Sequence, residues 1–322
     1  MSRLPRPAAL VAAAVALGLV ASAPAAGDER LVSDPRVAAR FDLAAGQTPE
    51  NIVLEPDGSA DVTLAFARQV TNVAPDGRRR VLATLPAEAH PATPVLGRAA
   101  VLGIARAQDG TLYVAYATGT ARTGIWRIVP GDVPRQIARL PRNGLPNGLA
   151  LDERRGALYA ADSVLGTVWR VPRAGGTPTA WAASGALAPE AGSGGLGANG
   201  LKVHRGAVWV SNSDRGTLLR LPVREDGSVG AAETRATGLT GVDDFTFPGP
   251  GNTVFAALLT ANEVAMVRPD GFRSTILDRR DGLSGPTSVA VRGRTVYVPG
   301  SARLTPAGPN LVVARMNRHF SR

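Results

Sequence analysis

The sequence predicts an all-β protein, a single six-bladed β-propeller with four antiparallel strands per blade. Three observations carry this reading. One two-strand layout recurs six times along the 322 residues, at steps of 52, 45, 52, 44 and 44, the interval of a propeller blade. Gly (37) and Pro (25) are abundant without a Gly-X-Y period, which favours a turn-rich β-fold over collagen. Beyond the N-terminal apolar stretch no segment keeps a 3.6-residue apolar period, so almost no helix is predicted.

The N-terminus precedes the repeat. Arg3 and Arg6 lead into an apolar run, AALVAAAVALGLV (8–20), and ASAPAA (21–26) offers cleavage sites after Ala23, Ala25 or Ala26. A basic start, a short apolar core and small residues make a secretory signal, and the run is short for a bilayer span. Residues 1–26 are read as signal peptide, 27–38 as an N-terminal extension and 39–318 as the propeller, with a secreted or periplasmic location.

The six units follow in order. The first is ENIVLEPDGSADVTLAF (50–66), whose PDG turn joins two strands and whose later turn APDG leads to an outer strand, RRVLATL (79–85). The second is LGIARAQDGTLYVAY (102–116), continued by GIWRIVP (124–130) and RQIARL (135–140). The third is NGLALDERRGALYAAD (147–162), continued by GTVWRVP (166–172) and TAWAA (179–183). NGLKVHRGAVWVSN (199–212) and GTLLRLP (216–222) make the fourth. The fifth is DDFTFPGPGNTVFAA (243–257), with NEVAMVRP (262–269) and RSTILD (273–278). The sixth, TSVAVRGRTVYVPG (287–300), has room only for NLVVARM (310–316) before the chain ends. ARFDLAA (39–45), ahead of the first unit, is expected to supply its missing outer strand and close the ring, removing an exposed edge. Residues 183–198 are rich in Gly, Ala and Ser and are expected to cover one face.

Composition removes several classes of function. There is no Cys, which excludes thiol catalysis, zinc–thiolate sites and iron–sulfur clusters. The formal charge is +10, yet the basic residues are scattered and aromatics are only 5%, unlike the clustered Arg and interleaved aromatics of a nucleic-acid protein. The densest cluster, RRR (78–80), follows a turn and reads as a solvated hairpin. Lys occurs once, at Lys202. His90, His204 and His319 form no metal motif, and no GxSxG or GxxxxGK[ST] is present. The expected partner is a small-molecule substrate of a monomer, with neither nucleic acid nor, once the signal is removed, membrane.

The inner strand of each blade lines the central channel, so the residues that begin the six units converge there. They are Glu50, Leu102, Asn147, Asn199, Asp243 and Thr287. Any one could be a turn residue, because Asn-Gly and Asp favour turns. Together, Glu50, Asn147, Asn199 and Asp243 form an oxygen-only set that suits a hard divalent cation. Ca²⁺ fits first, with Mg²⁺, Mn²⁺ or Zn²⁺ as alternatives.

The stretches PENIVLEPDG (49–58), LPNGLALDERRGALYAADS (145–163), GANGLKVHRGAVWVSNSDRG (197–216) and GVDDFTFPGPGNTVFAA (241–257) resemble the regucalcin/gluconolactonase/luciferin-regenerating-enzyme family of six-bladed propellers. A more distant resemblance is to strictosidine-synthase-like propellers. The resemblance implies one divalent ion held by a Glu of the first blade, an Asn each of the third and fourth, and an Asp of the fifth, which are Glu50, Asn147, Asn199 and Asp243. It implies a lactone or ester hydrolase in which Asp243 is also the catalytic base. The chain departs from the family at Asp244, where Gly is usual; Asp244 occupies the slot of Gly148 and Gly200 and is expected to act from the outer shell of the ion. The alternative is a non-catalytic propeller that binds a ligand or protein around a structural ion.

Overall fold

The computed structural model describes residues 30–317, which fold as a ring of six four-stranded antiparallel sheets. Blade 1 comprises β1–β4 of our numbering: β1 (Pro49–Leu54), β2 (Ala60–Leu64), β3 (Gln69–Val73) and β4 (Arg79–Thr84). Blade 2 follows with β5 (Ala100–Arg106), β6 (Leu112–Ala117), β7 (Gly124–Ile128) and β8 (Arg135–Arg139). Blade 3 has β9 (Pro146–Asp152), β10 (Ala157–Asp162), β11 (Thr167–Pro172) and β12 (Thr179–Ala183). Blade 4 has β13 (Ala198–His204), β14 (Ala207–Asn212), β15 (Thr217–Pro222) and β16 (Glu233–Ala236). Blade 5 has β17 (Val242–Thr246), β18 (Val254–Leu258), β19 (Glu263–Val267) and β20 (Arg273–Leu277). Blade 6 is built from β21 (Ala290–Arg292), β22 (Thr295–Gly300), β23 (Asn310–Met316) and a strand from the other end of the chain, Val32–Arg40. The only helical element among the described residues is a 3-10 turn at Arg279–Asp281.

The ring closes as expected, but the closing strand is Val32–Arg40 rather than 39–45. Its ladder runs from Val32 opposite Met316 to Arg40 opposite Asn310. Because β23 begins at Asn310, pairing must stop there. The chain then turns on Asp42, whose Oδ1 accepts the amides of Ala44 (2.9 Å) and Ala45 (3.3 Å). The expected signal peptide, 1–26, lies outside the described residues. No helix among those described is long and apolar enough to cross a membrane.

Apolar side chains pack between blades rather than inside any one of them. Each of the six interfaces has its own buried cluster. A blade is therefore covered on both faces, and its second strands read as continuous apolar runs such as LYVAYA, buried throughout, instead of alternating. Turns repeat too. In the Asp-Gly hairpins, Asp57, Asp76 and Asp226 each accept the amide two residues on (2.8, 3.0 and 2.9 Å), the Asx bond that makes Asp a turn former. The cluster at 78–80 sits on one of them, solvated as expected.

The loop from Ser184 to Gly197 lies on the face where the inner strands begin. It is pinned by buried Leu187, by Asn212 Nδ2 donating to the carbonyls of Ala186 and Ala188 (both 2.9 Å), and by Asp214 Oδ2, which accepts from Ser193 Oγ (2.6 Å).

Candidate metal centre in the channel

The inner strands share one irregularity. In five blades, two residues of the inner strand oppose one of its neighbour: Glu50 and Asn51 lie between the pairs Pro49–Leu64 and Ile52–Val62, against Thr63 alone, and likewise in blades 2 to 5. Each is a β-bulge, a device that re-aims side chains. The bulged pairs are Glu50–Asn51, Leu102–Gly103, Asn147–Gly148, Asn199–Gly200 and Asp243–Asp244. The first of each pair is the residue that begins its unit, so the bulge sets these side chains into the channel.

The second bulge residue is constrained by the next blade. A Cβ on Gly103 would lie 2.2 Å from the carbonyl oxygen of Asn147, and one on Gly148 2.2 Å from that of Asn199. Such approach leaves no room for a side chain. Blade 6 has no bulged ladder at this level; Thr287 lies outside its strands and its hydroxyl donates to the carbonyls of Pro49 (3.2 Å) and Pro299 (3.3 Å). At this slot Asp244 carries a carboxylate where Gly148 and Gly200 carry no side chain.

All four expected ligands are buried in the channel, with exposures of 5% for Glu50, 4% for Asn147, 3% for Asn199 and 7% for Asp243. The amides are oriented by serines: Asn147 Nδ2 donates to Ser163 Oγ (3.2 Å) and Asn199 Nδ2 to Ser213 Oγ (2.8 Å). Each serine in turn donates to a carbonyl of the next inner strand, Ser163 to Ala198 (2.7 Å) and Ser213 to Val242 (2.5 Å). Anchoring Nδ2 in this way assigns the other arm of each amide, an acceptor oxygen, to the remaining directions. Leu102 and Thr287 supply no ligand.

Two acids in this enclosure disturb each other. Burial raises the Glu50 pKa, Arg303 pulls it back and Asp244 pushes it up. Asp243 is pushed well above its ordinary range, first by burial and then by the charges of Glu50 and Asp244, against Arg303 and a hydrogen bond from Asn199. Glu50 Oε2 is buried with no hydrogen-bond partner, which is costly unless something positive meets it. Among the described residues no three Asp, Glu or His side chains converge on a metal position, so a cation here depends on the amides as well as the acids. Two carboxylates and two amides are the donors of a hard divalent ion.

Asp244 has a different environment. Its side chain is 1% exposed and is gripped by Lys202 Nζ, 2.7 Å from Oδ1 and 2.6 Å from Oδ2, and by Ser288 Oγ, 2.7 Å from Oδ2. Lys202 comes from blade 4 and Ser288 from blade 6, so Asp244 joins three blades beside the acids. The only lysine of the chain is thus committed to it.

Sequence reasoning missed Arg303, which faces the acids from the loop between β22 and β23. Its guanidinium lies 5.7 Å from the centroid of Phe66, and that of Arg98 lies 4.3 Å from the same ring. Phe66 packs on an apolar cluster containing Leu102 and Leu145. Arg303 thus links this apolar wall to the acids, whose charges it opposes. No repeat position marks Arg303, so the register that located the acids gave no signal for it.

A six-bladed propeller whose channel holds two carboxylates and two latched amides is the class that fold and site define. No protein-family description and no curated protein matches this chain. Solved structures do match. A gluconolactonase candidate from structural genomics is 16% identical, with a TM-score of 0.64 over 88% of this chain and 92% of its own. Regucalcin from Agrobacterium tumefaciens, a calcium-binding protein, is 15% identical (TM-score 0.63; 88% and 96% covered). A gluconolactonase from Xanthomonas campestris is 16% identical (TM-score 0.60; 89% and 97% covered). At these identities the likeness establishes the shared propeller fold.

Proposed function

We propose that the protein is a divalent-cation-dependent hydrolase of small lactones or esters, akin to the gluconolactonase and regucalcin propellers, exported by its N-terminal signal. The observation that carries this is the pairing of buried Glu50, with an unpartnered oxygen, and Asp243 in a channel whose amides are already oriented. Glu50, Asn147, Asn199 and Asp243 are the residues that would hold the cation, Ca²⁺ first by donor type. When bound, such an ion polarises a carbonyl and makes a water more acidic.

The chain's own groups supply the rest. Asp243 accepts the proton of the attacking water. Asn199, donating to Asp243, fixes the carboxylate's orientation. Arg303 and Arg98 draw an electron-rich carbonyl or carboxylate toward the wall around Phe66. Asp244, neutralised by Lys202, is a positioning residue that ties blade 5 to its neighbours.

The test is hydrolysis of sugar and aromatic lactones by chelator-treated protein. Activity is expected to vanish on treatment, return with Ca²⁺, and fall at least a hundredfold in Asp243→Ala. Full activity in that variant would remove the assignment. The low exposure of the four ligands, 7% at most, favours a second reading, an ion sealed in as a structural plug of a binding propeller. In that case stability, but no hydrolysis, would follow the ion.

A further inference from the structure

Of the six residues that begin the units around the channel, five are polar and one is not. The exception is Leu102 of blade 2, which stands in the ring between Glu50 and Asn147 and is 3% exposed. It belongs to a buried cluster with Ala65, Ala100, Ala117 and Leu145. Phe66, Leu96, Val164 and Leu196 pack against that cluster and keep part of their surface open.

Topology brings these four side chains to one face. Phe66 follows the end of β2 and Val164 the end of β10, whereas Leu96 and Leu196 precede the starts of β5 and β13. Second strands run antiparallel to inner strands, so they end where the inner strands begin. All four residues therefore stand on the face that carries the ligand positions, along the arc from blade 1 to blade 4. Their loops are tied down. Asp162 Oδ1 accepts the Val164 amide (3.2 Å), the Leu196 carbonyl accepts the Asp214 amide (2.9 Å), and Thr93 Oγ1 donates to the Arg98 carbonyl (2.6 Å). The guanidiniums of Arg98 and Arg303 over Phe66 form the polar end of this wall.

A contiguous apolar surface at the mouth of a channel marks a binding site. Where it starts says what covers it. A carbonyl placed among Glu50, Asn147, Asn199 and Asp243 has Leu102 as its apolar neighbour in the ring, and a substituent on that side leads onto the wall. The side chains of Phe66, Leu96, Val164 and Leu196 offer no hydrogen bond. A sugar lactone would lose water from its hydroxyls there without gaining partners, whereas a hydrocarbon chain gains by burial.

We propose that Phe66, Leu96, Val164 and Leu196 are specificity-determining residues and that the substrate is a lactone carrying an apolar alkyl tail rather than a polyhydroxylated one. The inference rests on the hydrolase reading for the placing of the carbonyl, but the wall holds the tail whether or not hydrolysis follows.

The experiment is calorimetric titration of the protein in calcium-containing buffer with 2-pentylcyclopentanone and with cyclopentanone. Both keep the ring carbonyl of a lactone, and neither can be hydrolysed. A fully buried methylene is worth about fourfold in affinity, so a half-buried pentyl tail should bind about thirtyfold tighter than the bare ring. That preference should fall about fourfold in Val164→Asn or in Leu196→Asn, the worth of one methylene contact. In hydrolysis, γ-nonalactone, which bears the same tail, should show a lower KM than glucono-δ-lactone. No binding of the pentyl ketone, equal affinity for the two ketones, or a preference unmoved in both variants would overturn the proposal. The wild-type comparison decides even if a variant fails to fold. Tail preference without hydrolysis of any lactone would remove the hydrolase reading and leave the wall; hydrolysis of glucono-δ-lactone without tail preference would do the reverse.

Discussion

Replacing Lys202 by Met should be among the most damaging single changes near the channel. Asp244 is 1% exposed and Lys202 supplies a donor to both of its oxygens, leaving Ser288 as the only other side chain bound to it. Removing one partner of a buried ion pair strands the other charge, at about 3–5 kcal/mol. Lys202 is 25% exposed, so water offsets part of this and the lower end, about 3 kcal/mol, is expected. For a propeller of this size that is about 5 °C in melting temperature. The reverse variant, Asp244→Gly, should lose less, because the freed ammonium can turn toward water and Gly already fills this slot at positions 148 and 200. The double variant Lys202→Met/Asp244→Gly should recover about 2 kcal/mol relative to the sum of the singles. Urea unfolding followed by tryptophan fluorescence, in chelator at pH 7, measures all three. A loss below about 0.5 kcal/mol for Lys202→Met, or strict additivity in the cycle, would refute the pairing as a structural tie.

Two further outcomes follow from the geometry. Gly148→Ala should destabilise the fold by about 3 kcal/mol and weaken cation binding, because its Cβ would meet the Asn199 carbonyl oxygen at 2.2 Å; a neutral effect in thermal unfolding would show that the inner strands are not packed this tightly. Stability should also fall with pH on account of Asp61. Burial pushes its pKa in the fold to about 7 against an ordinary 3.8, so the folded state holds a proton the unfolded chain has released. The contribution is fully present below about pH 4 and lost as pH rises through about 7, and 1.36 kcal/mol per pH unit over that interval caps it at about 4 kcal/mol. Unfolding free energies of wild type and Asp61→Asn between pH 5 and 8 should therefore move against the wild type, and a pH-independent difference would contradict this.

The repeat was legible because a blade is a local object. Its turns, strands and period lie within some fifty consecutive residues, and the register that aligned Glu50, Asn147, Asn199 and Asp243 is the register of the bulges. What joins distant parts was not legible. The sequence puts the closing strand at 39–45, just ahead of the first unit, whereas its limits are set by β23, from the other end of the chain. The slot of Asp244 was readable from Gly148 and Gly200, but its partners stand 42 and 44 residues away on neighbouring blades. Arg303 sits on a loop outside the repeat and has no counterpart to align. Asp61 is the opposite case: Tyr113, Tyr159, Trp209, Phe255 and Tyr297 hold its ladder position in the other blades, a row that exposes it in sequence once the ladder is known.

The cation site is tested most directly by the melting temperature of chelator-treated protein, alone and with millimolar Ca²⁺, Mg²⁺ or Mn²⁺, beside Glu50→Gln. Binding to the folded state alone stabilises by about 2.7 kcal/mol at a hundred times the dissociation constant, about 4 °C here. The wild type should rise by that amount with Ca²⁺ and Glu50→Gln by little or nothing. A wild-type melting temperature unmoved by every divalent ion would show that the two buried acids are not a metal site.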